Sequence, residues 1–123
     1  MPSTRNKADV EYAVMLAVLN FQKEFMQSHY SLIQVWLREN LLEVNLTRTA
    51  PVPAEQRLAQ TQEGCDQLRR MQQALFTMGQ DILKKQLEEI LGRKIYEMVT
   101  DLDPLLGKNT ILLRLEEAID SSA

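Results

Sequence analysis

The chain has 123 residues, of which 45% are hydrophobic and 25% are charged, and its formal net charge is −3 at pH 7. This length predicts one domain with a real hydrophobic core, and the mild negative charge argues against nucleic-acid or anionic-membrane binding. The single cysteine, Cys65, excludes an internal disulfide, and no apolar run approaches the roughly 18 residues of a membrane span. We therefore expect a cytoplasmic protein that does not insert into a membrane.

The first predicted element is an amphipathic helix from about residue 9 to residue 27. It contains no glycine or proline. Its apolar residues follow spacings of three and four, which is the period of one helical face; they are Val10, Val14, Val18, Phe21 and Phe25. We expect residues 1–7 to form a disordered N-terminus.

Two stretches with a period of two follow, at residues 31–38 and 42–48. Their alternating apolar residues are Ile33, Val35 and Leu37 in the first stretch and Leu42, Val44 and Leu46 in the second. Only a short polar connection separates the stretches, so they predict an antiparallel hairpin. Pro51 and Pro53 then end strand pairing, because proline has no N–H to donate.

A short helix and a long helix are predicted next. Pro53 suits a first helical turn and Glu55 complements the helix dipole, so the short helix should run from Pro53 to about Gln60. We expect a break near Gly64, and then a dominant helix from about residue 65 to residue 91 that ends at Gly92. Its predicted apolar stripe consists of Leu68, Leu75, Met78, Ile82, Leu83, Leu87 and Ile90.

Gly79 lies on the apolar side of this long helix. Because glycine has no side chain, we expect another backbone to come close to the helix at this position.

A second period-two pattern predicts another hairpin, with strands near residues 94–101 and 110–116. The order helix, hairpin, long helix, hairpin predicts an α+β fold with two layers. In this fold an N-terminal helix and a long central helix cover one face of a four-stranded antiparallel sheet. We expect this single domain to span residues 8–117 and residues 118–123 to form a flexible C-terminal tail.

The sequence offers no constellation for catalysis. Nucleophilic and acid–base catalysis usually need a histidine, cysteine or serine with an orienting partner. The only histidine, His29, falls at a predicted helix-to-strand junction, and Cys65 lies between Glu63 and Asp66, whose charges oppose thiolate formation. We therefore expect no catalytic residue, and an enzyme is the least favoured class of function.

Metal and cofactor motifs are also lacking in the sequence. One histidine and one cysteine are too few for a structural zinc site, and the four glycines are too widely separated for a phosphate-binding loop. Asp101 and Asp103 are not followed by the remaining ligands of a calcium loop, so we expect them to bind turn amides. We expect no metal ion and no cofactor.

Trp36 is the main candidate for an interaction residue. It projects to the strand face opposite Ile33 and Val35, together with Leu32 and Gln34. A sheet face without helices that carries tryptophan and leucine is either a dimer surface or a partner site. We place a homodimer contact first, through this face or through an exposed strand edge.

Two segments of the chain carry a family resemblance. The residues concerned are Pro53-Ala54-Glu55, Leu58-Ala59, Thr61, Gly64, Gly92, Lys94-Ile95 and Thr100-Asp101. They resemble the MpsC-type family of small bacterial proteins, which is named after a sodium-linked system that generates a membrane potential. The resemblance runs from about Val14 to Leu115 and implies a soluble accessory protein linked to membrane ion or bicarbonate transport. It implies no catalytic residue.

Two interpretations of function remain open. The first is a non-enzymatic accessory or regulatory protein that docks on itself or on a membrane transport complex. The second is a small-ligand-binding protein with a pocket between the long helix and the sheet. Such a pocket needs convergent polar groups to orient its ligand, and the sequence nominates none.

Overall fold

The computed structural model describes residues 6–48, 50 and 52–117. In chain order its elements are α1 (Lys7–Phe21), β1 (Leu32–Arg38), β2 (Leu41–Thr47), α2 (Pro53–Leu58), α3 (Gln62–Leu91), β3 (Ile95–Asp103) and β4 (Lys108–Leu115). The four strands form one antiparallel sheet in the order β1-β2-β4-β3. The predicted α+β class, with its four-stranded sheet, N-terminal helix and long central helix, is confirmed.

The sheet consists of two hairpins that meet along its centre. A two-residue turn joins β1 to β2, and Glu39 in that turn has a φ of 53°. The central strands belong to different hairpins, and Val44 of β2 pairs with Ile111 of β4. The pairing of β2 with β4 therefore unites the two halves of the chain in one sheet.

One face of the sheet and the helices above it form the hydrophobic core. Alternate residues of the two central strands are completely buried on this face, because α1 and α3 both pack against it. These residues are Leu42, Val44 and Leu46 of β2 and Ile111, Leu113 and Leu115 of β4.

The first predicted helix begins earlier than the pattern indicates, and its last turn is π-helical instead of α-helical. It begins at Lys7 because the side chain of Asn6 accepts a hydrogen bond of 2.8 Å from the backbone N–H of Asp9. A π-helical turn at Gln22–Met26 continues it, and Gln27, with a φ of 54°, ends it. Residues 1–5 of the predicted disordered N-terminus and residues 118–123 of the predicted tail lie outside the described residues.

Helix α3 begins before Gly64 and ends where it was predicted to end. The hydroxyl of Thr61 accepts a hydrogen bond of 2.9 Å from the backbone N–H of Gly64, so the break in the helical chain precedes Gly64. At the other end Gly92 has a φ of 66° and donates its N–H to the carbonyl of Glu88 at 2.8 Å. This left-handed conformation favours glycine and ends the helix.

The predicted apolar stripe of α3 is wrong at two positions. Met78 is 75% exposed and Ile82 is 56% exposed, whereas Phe76, which the stripe omitted, is completely buried. Met78 and Ile82 lie on the flank of the helix, in phase with exposed Met71. The buried face itself contains Leu68, Gln72, Phe76, Gly79, Leu83, Leu87 and Leu91.

Gly79 permits a close approach, but the neighbour is an aromatic side chain and not a backbone. A Cβ atom added to Gly79 would lie 2.5 Å from the ring of Phe25. The Phe25 ring stacks on Phe21 with a centroid distance of 5.4 Å, and Phe21 meets Phe76 edge to face at 6.0 Å. The missing side chain of Gly79 therefore makes room for the aromatic contact between α1 and α3.

Candidate interaction surface and polar cavity

The sheet face that α1 and α3 leave uncovered is here called the open face. Strand register aligns its side chains in four rows that cross β1, β2, β4 and β3 in that order. The rows are Leu32, Thr47, Lys108 and Asp103; Gln34, Asn45, Thr110 and Asp101; Trp36, Glu43, Leu112 and Val99; and Arg38, Leu41, Arg114 and Glu97.

The structure places all three predicted interaction residues on the open face. Trp36 is 40% exposed, and Leu32 and Gln34 are also exposed. Trp36 belongs to the most apolar row, together with half-buried Leu112 and exposed Val99. Glu43 lies between Trp36 and Leu112 in this row, so the open face presents tryptophan at one end of the row and the neighbouring pair of Leu112 and Val99 at the other. Exposed tryptophan is enriched in interaction surfaces.

Hydrogen bonds join the polar side chains at the centre of the open face. The Nδ2 of Asn45 donates a hydrogen bond to Oε2 of Glu43 at 2.7 Å, and the hydroxyl of Thr110 donates to Oδ1 of Asn45 at 3.1 Å. In the last row Arg114 Nε lies 3.0 Å from Oε1 of Glu97. These contacts pair the polar groups of the two central strands with one another and Arg114 with Glu97.

Charged side chains from the helices reach both edges of the sheet. On β1, the backbone N–H of Leu37 donates to Oε2 of Glu11 at 2.9 Å. On β3, Nε of Arg69 donates to the carbonyl of Leu102 at 3.0 Å. On each edge strand, a side chain from a helix therefore already binds one backbone group, and this opposes the pairing of another strand at that edge.

The helical layer also exposes apolar side chains. On α3 the exposed apolar residues are Met71, Met78 and Ile82. On α1 three apolar residues that share one face of the helix are exposed, namely Tyr12, Leu16 and Leu19. Charged neighbours interrupt this surface, among them exposed Lys85 and Glu89 on α3.

A largely buried charge lies directly after β2. The Arg48 side chain is only 14% exposed, and its Nη1 lies 2.8 Å from Oε1 of Glu55 in α2. Its guanidinium carbon also lies 5.0 Å from the centroid of the Tyr30 ring, a cation–π distance. Burial raises the pKa of Tyr30 above its ordinary value of 10.0, while the charge of Arg48 and the nearby amide of Asn109 partly offset this increase.

A chain of buried polar side chains lies next to this group. Gln72 Nε2 donates to the hydroxyl of Thr100 at 3.1 Å, and that hydroxyl donates to Oδ1 of Asn109 at 2.9 Å. Asn109 is 1% exposed, and its Nδ2 has no hydrogen-bond partner of ordinary geometry among the described residues. The α3–sheet interface therefore contains the convergent polar groups that the sequence did not nominate.

These groups border a cavity and a groove. The cavity, of about 50 Å³, lies between α3, the end of β3 and the segment before β1, and Tyr30, Arg48, Glu55 and Gln72 line its polar side. The groove, of about 220 Å³, lies between α2 and the β3–β4 turn. Arg48 and Glu55 line both, so this ion pair forms the wall between them.

Sequence reasoning missed Arg48 and Asn109, although a signal was present. Arg48 continues the core-facing phase of Leu42, Val44 and Leu46, and Asn109 precedes the core-facing residues of β4 in the same way. A polar residue at a core-facing position must find partners inside the protein, so each of them marks a buried polar site.

The residues considered for catalysis or metal binding have ordinary surroundings. His29 is exposed, Cys65 donates its thiol hydrogen to the carbonyl of Ala59 at 3.3 Å, and Asp103 accepts the turn amides of Leu105 and Leu106 at 3.2 Å each. In the part of the chain that the structure describes, no three acidic, histidine or cysteine side chains could hold a metal ion together. Among the same residues, no helix is both long and apolar enough to cross a membrane.

Comparison with protein families identifies the relationship of the chain. Residues 6–117 match the family described as Na+-translocating membrane potential-generating system (MpsC). Comparisons with curated proteins and with solved structures gave no match. Because the family match covers nearly the whole chain, the protein belongs to the MpsC family.

Proposed function

We propose that this protein is a non-enzymatic accessory or regulatory protein that acts by binding within a membrane ion or bicarbonate transport system. Family membership supports the association, because the family is named after a Na+-translocating, membrane potential-generating system. The observation that carries the binding role is the open face, on which Trp36 and Val99 are exposed and no helix of the described chain covers them. Such a face is typical of a protein interaction site.

The protein works as a homodimer whose copies meet through the open face. Trp36 supplies a large, rigid anchor of the kind that dominates interface energetics. The bonds of Glu11 and Arg69 to the edge strands support the face as the route of association, because edge pairing would have to break them.

Affinity capture from native cells, with the membrane fraction retained, tests this function. We expect the wild-type protein to capture transport subunits and Trp36→Asp to lose them, because the homodimer, whose interface contains Trp36, is the form that binds the transport system. Met78→Asp is the matched control, because Met78 is exposed on the helical layer and its replacement should leave capture unchanged. Loss with Met78→Asp but not with Trp36→Asp would show that capture depends on the helical layer and not on the homodimer.

Other outcomes of the same experiment contradict the proposal more broadly. Capture of soluble metabolic proteins alone would contradict the association with transport. A substrate turnover that disappears when His29 or Asp101 is replaced would contradict the non-enzymatic role.

A second candidate function is the binding of a small ligand between α3 and the sheet. The cavity beside Tyr30, Arg48 and Gln72 favours it, because an apolar pocket with convergent polar groups is the usual form of a ligand site. Its size suits a molecule of a few non-hydrogen atoms. Native mass spectrometry of the protein from its own cells should then show a bound molecule that Arg48→Met loses, and a ligand-free wild-type protein would contradict this function.

A further inference from the structure

The charges on the open face distinguish between the two ways in which two copies can pack, and this inference rests on the homodimer of the proposed function. Sheets that pack face to face in an aligned manner keep their strand directions within about 30° of each other. A two-fold axis in the interface can then run along the strands or across them. Full overlap of the two sheets places this axis at the centre of the open face, between β2 and β4.

An axis along the strands superimposes each row on the same row of the other copy. Strand β1 then lies over the partner's β3, and β2 lies over the partner's β4. In the apolar row Trp36 faces the partner's Val99, and in the last row Arg38 faces the partner's Glu97. Each copy makes both contacts, so tryptophan is covered and opposite charges meet at two places. In the same apolar row Glu43, which accepts a hydrogen bond from Asn45 at 2.7 Å, faces the partner's Leu112.

An axis across the strands places each strand over the same strand of the other copy and inverts the order of the rows, so that the first row lies over the partner's last row. Lys108 then faces the partner's Arg114, and Asp103 faces the partner's Glu97. Trp36 faces the partner's Gln34. Symmetry doubles each of these contacts, and like charges placed directly opposite each other weaken association.

We propose that two copies pack through the open face about an axis along the strands, with Trp36 over the partner's Val99 and Arg38 over the partner's Glu97. Glu97 lies 3.0 Å from Arg114 of its own chain. Each end of the last row therefore holds one carboxylate between two guanidinium groups of different copies. A two-fold interface of this kind uses the same patch on both copies, so the assembly closes at two.

Charge reversal tests the arrangement. Arg38→Glu and Glu97→Arg each place like charges opposite each other at two points of their own homodimer. We expect the dimer Kd, measured by sedimentation, to rise about tenfold for each variant, since exposed ion pairs contribute up to about 1 kcal/mol apiece. An equimolar mixture of the two variants restores both opposite-charge contacts in the mixed pair, so its Kd should return close to the wild-type value.

Matched reversals on the helical layer control for net charge. Lys85→Glu and Glu89→Arg are exposed on α3 and should leave the dimer Kd unchanged. If the axis ran across the strands, Glu97→Arg would face the partner's Asp103 and tighten the dimer, and the mixture would show no recovery. That result overturns the arrangement and leaves the homodimer standing. A monomeric wild-type protein overturns both, whereas the transport association is tested separately by capture.

Cross-linking gives a second measurement that does not depend on affinity. In a Cys65→Ser background, a bismaleimide linker of about 8 Å should join Gln34→Cys copies to Asp101→Cys copies, because these positions face each other across sheets roughly 10 Å apart. Two Gln34→Cys copies should not be joined, because their cysteines lie at opposite margins of the interface. Efficient linkage between two Gln34→Cys copies would overturn the arrangement.

Discussion

Arg48, which follows β2, links helix α2 to the sheet. Helix α2 has no buried residue of its own, and its Glu55 meets Arg48 at 2.8 Å. A charge that is largely removed from water is costly unless it is paired. The carboxylate of Glu55 pairs with the Arg48 guanidinium, and the ring of Tyr30 lies against the same guanidinium. The ion pair between Arg48 and Glu55 therefore anchors α2 over the cavity.

Tyr30 should make the stability of the protein depend on alkaline pH. Its folded pKa is raised above 10.0, so the folded protein holds this proton more tightly than the unfolded chain does. The resulting stabilisation is fully present below pH 10.0 and is lost as the pH rises through the folded pKa. We expect the free energy of unfolding in urea to fall as the pH rises above 10.0, and Tyr30→Phe to reduce the slope.

Tyr96→Phe provides the control, because Tyr96 is exposed on β3 and should leave the slope as it is in the wild-type protein. Equal slopes for the wild-type protein and Tyr30→Phe would contradict the prediction.

At the residue scale, the sequence could predict which polar side chains are buried but not which other side chains they bind. Gln72 lies four residues from both Leu68 and Phe76 on the buried face of α3, and Arg48 and Asn109 occupy core-facing strand positions. Their phase alone indicates that they are buried. Their meeting depends on the placement of α3 over β3 and on the pairing of β2 with β4, which no local pattern specifies.

At the element scale, α3 shows how periodicity can define a helix and still misplace its buried face. Leu68, Leu83 and Leu87 were predicted to be buried and are buried, whereas Met78 and Ile82 are exposed. Apolar residues occur on two adjoining faces of α3, and both follow spacings of three and four. The edge-to-face contact with Phe21 selects the face that contains Phe76, and that contact lies 55 positions away in the sequence.

Gly79→Ala should destabilise the protein although alanine is the better helix former. The added Cβ would lie 2.5 Å from the Phe25 ring, which is held by its stacking on Phe21. We expect a loss of about 1–3 kcal/mol in the free energy of unfolding, measured in urea, as is typical of overpacking.

The matched control is Gly79→Ala combined with Phe25→Leu, in which the smaller side chain leaves room for the new methyl group and part of the loss should be recovered. A gain of about 1 kcal/mol in the single variant, as helix propensity alone would give, would contradict the close approach.

At the scale of the whole molecule, the two hairpins and the helical layer follow from the sequence, but the order of the strands does not. Alternation identified each strand and placed Trp36 opposite Ile33 and Val35, which the structure confirms. The β2–β4 pairing was not specified, because alternation states which side chains share a face and not which strand lies next to which. The four rows of the open face, and therefore its charge pattern, became visible only with that pairing.

A homodimer should unfold at a temperature that depends on protein concentration. Association with a second copy stabilises the folded chain by mass action, so Tm should rise between about 2 and 200 µM protein. Trp36→Asp should remove this dependence, whereas Met78→Gln, on the exposed flank of α3, should retain it. A wild-type Tm that stays constant over this range, in calorimetry or circular dichroism, would contradict the dimer.

The bond between Glu11 and the amide of Leu37 has a consequence for damaged forms of the protein. Helix α1 both supplies this bond and covers the inner face of β1, where Leu37 is buried. A molecule from which α1 has been removed would lose both kinds of protection at once. It would expose β1 as an edge strand with unpaired backbone groups and with apolar side chains on both faces. Such an edge is a template for fibril growth. Helix α1 therefore acts as a barrier to polymerisation as well as a part of the core.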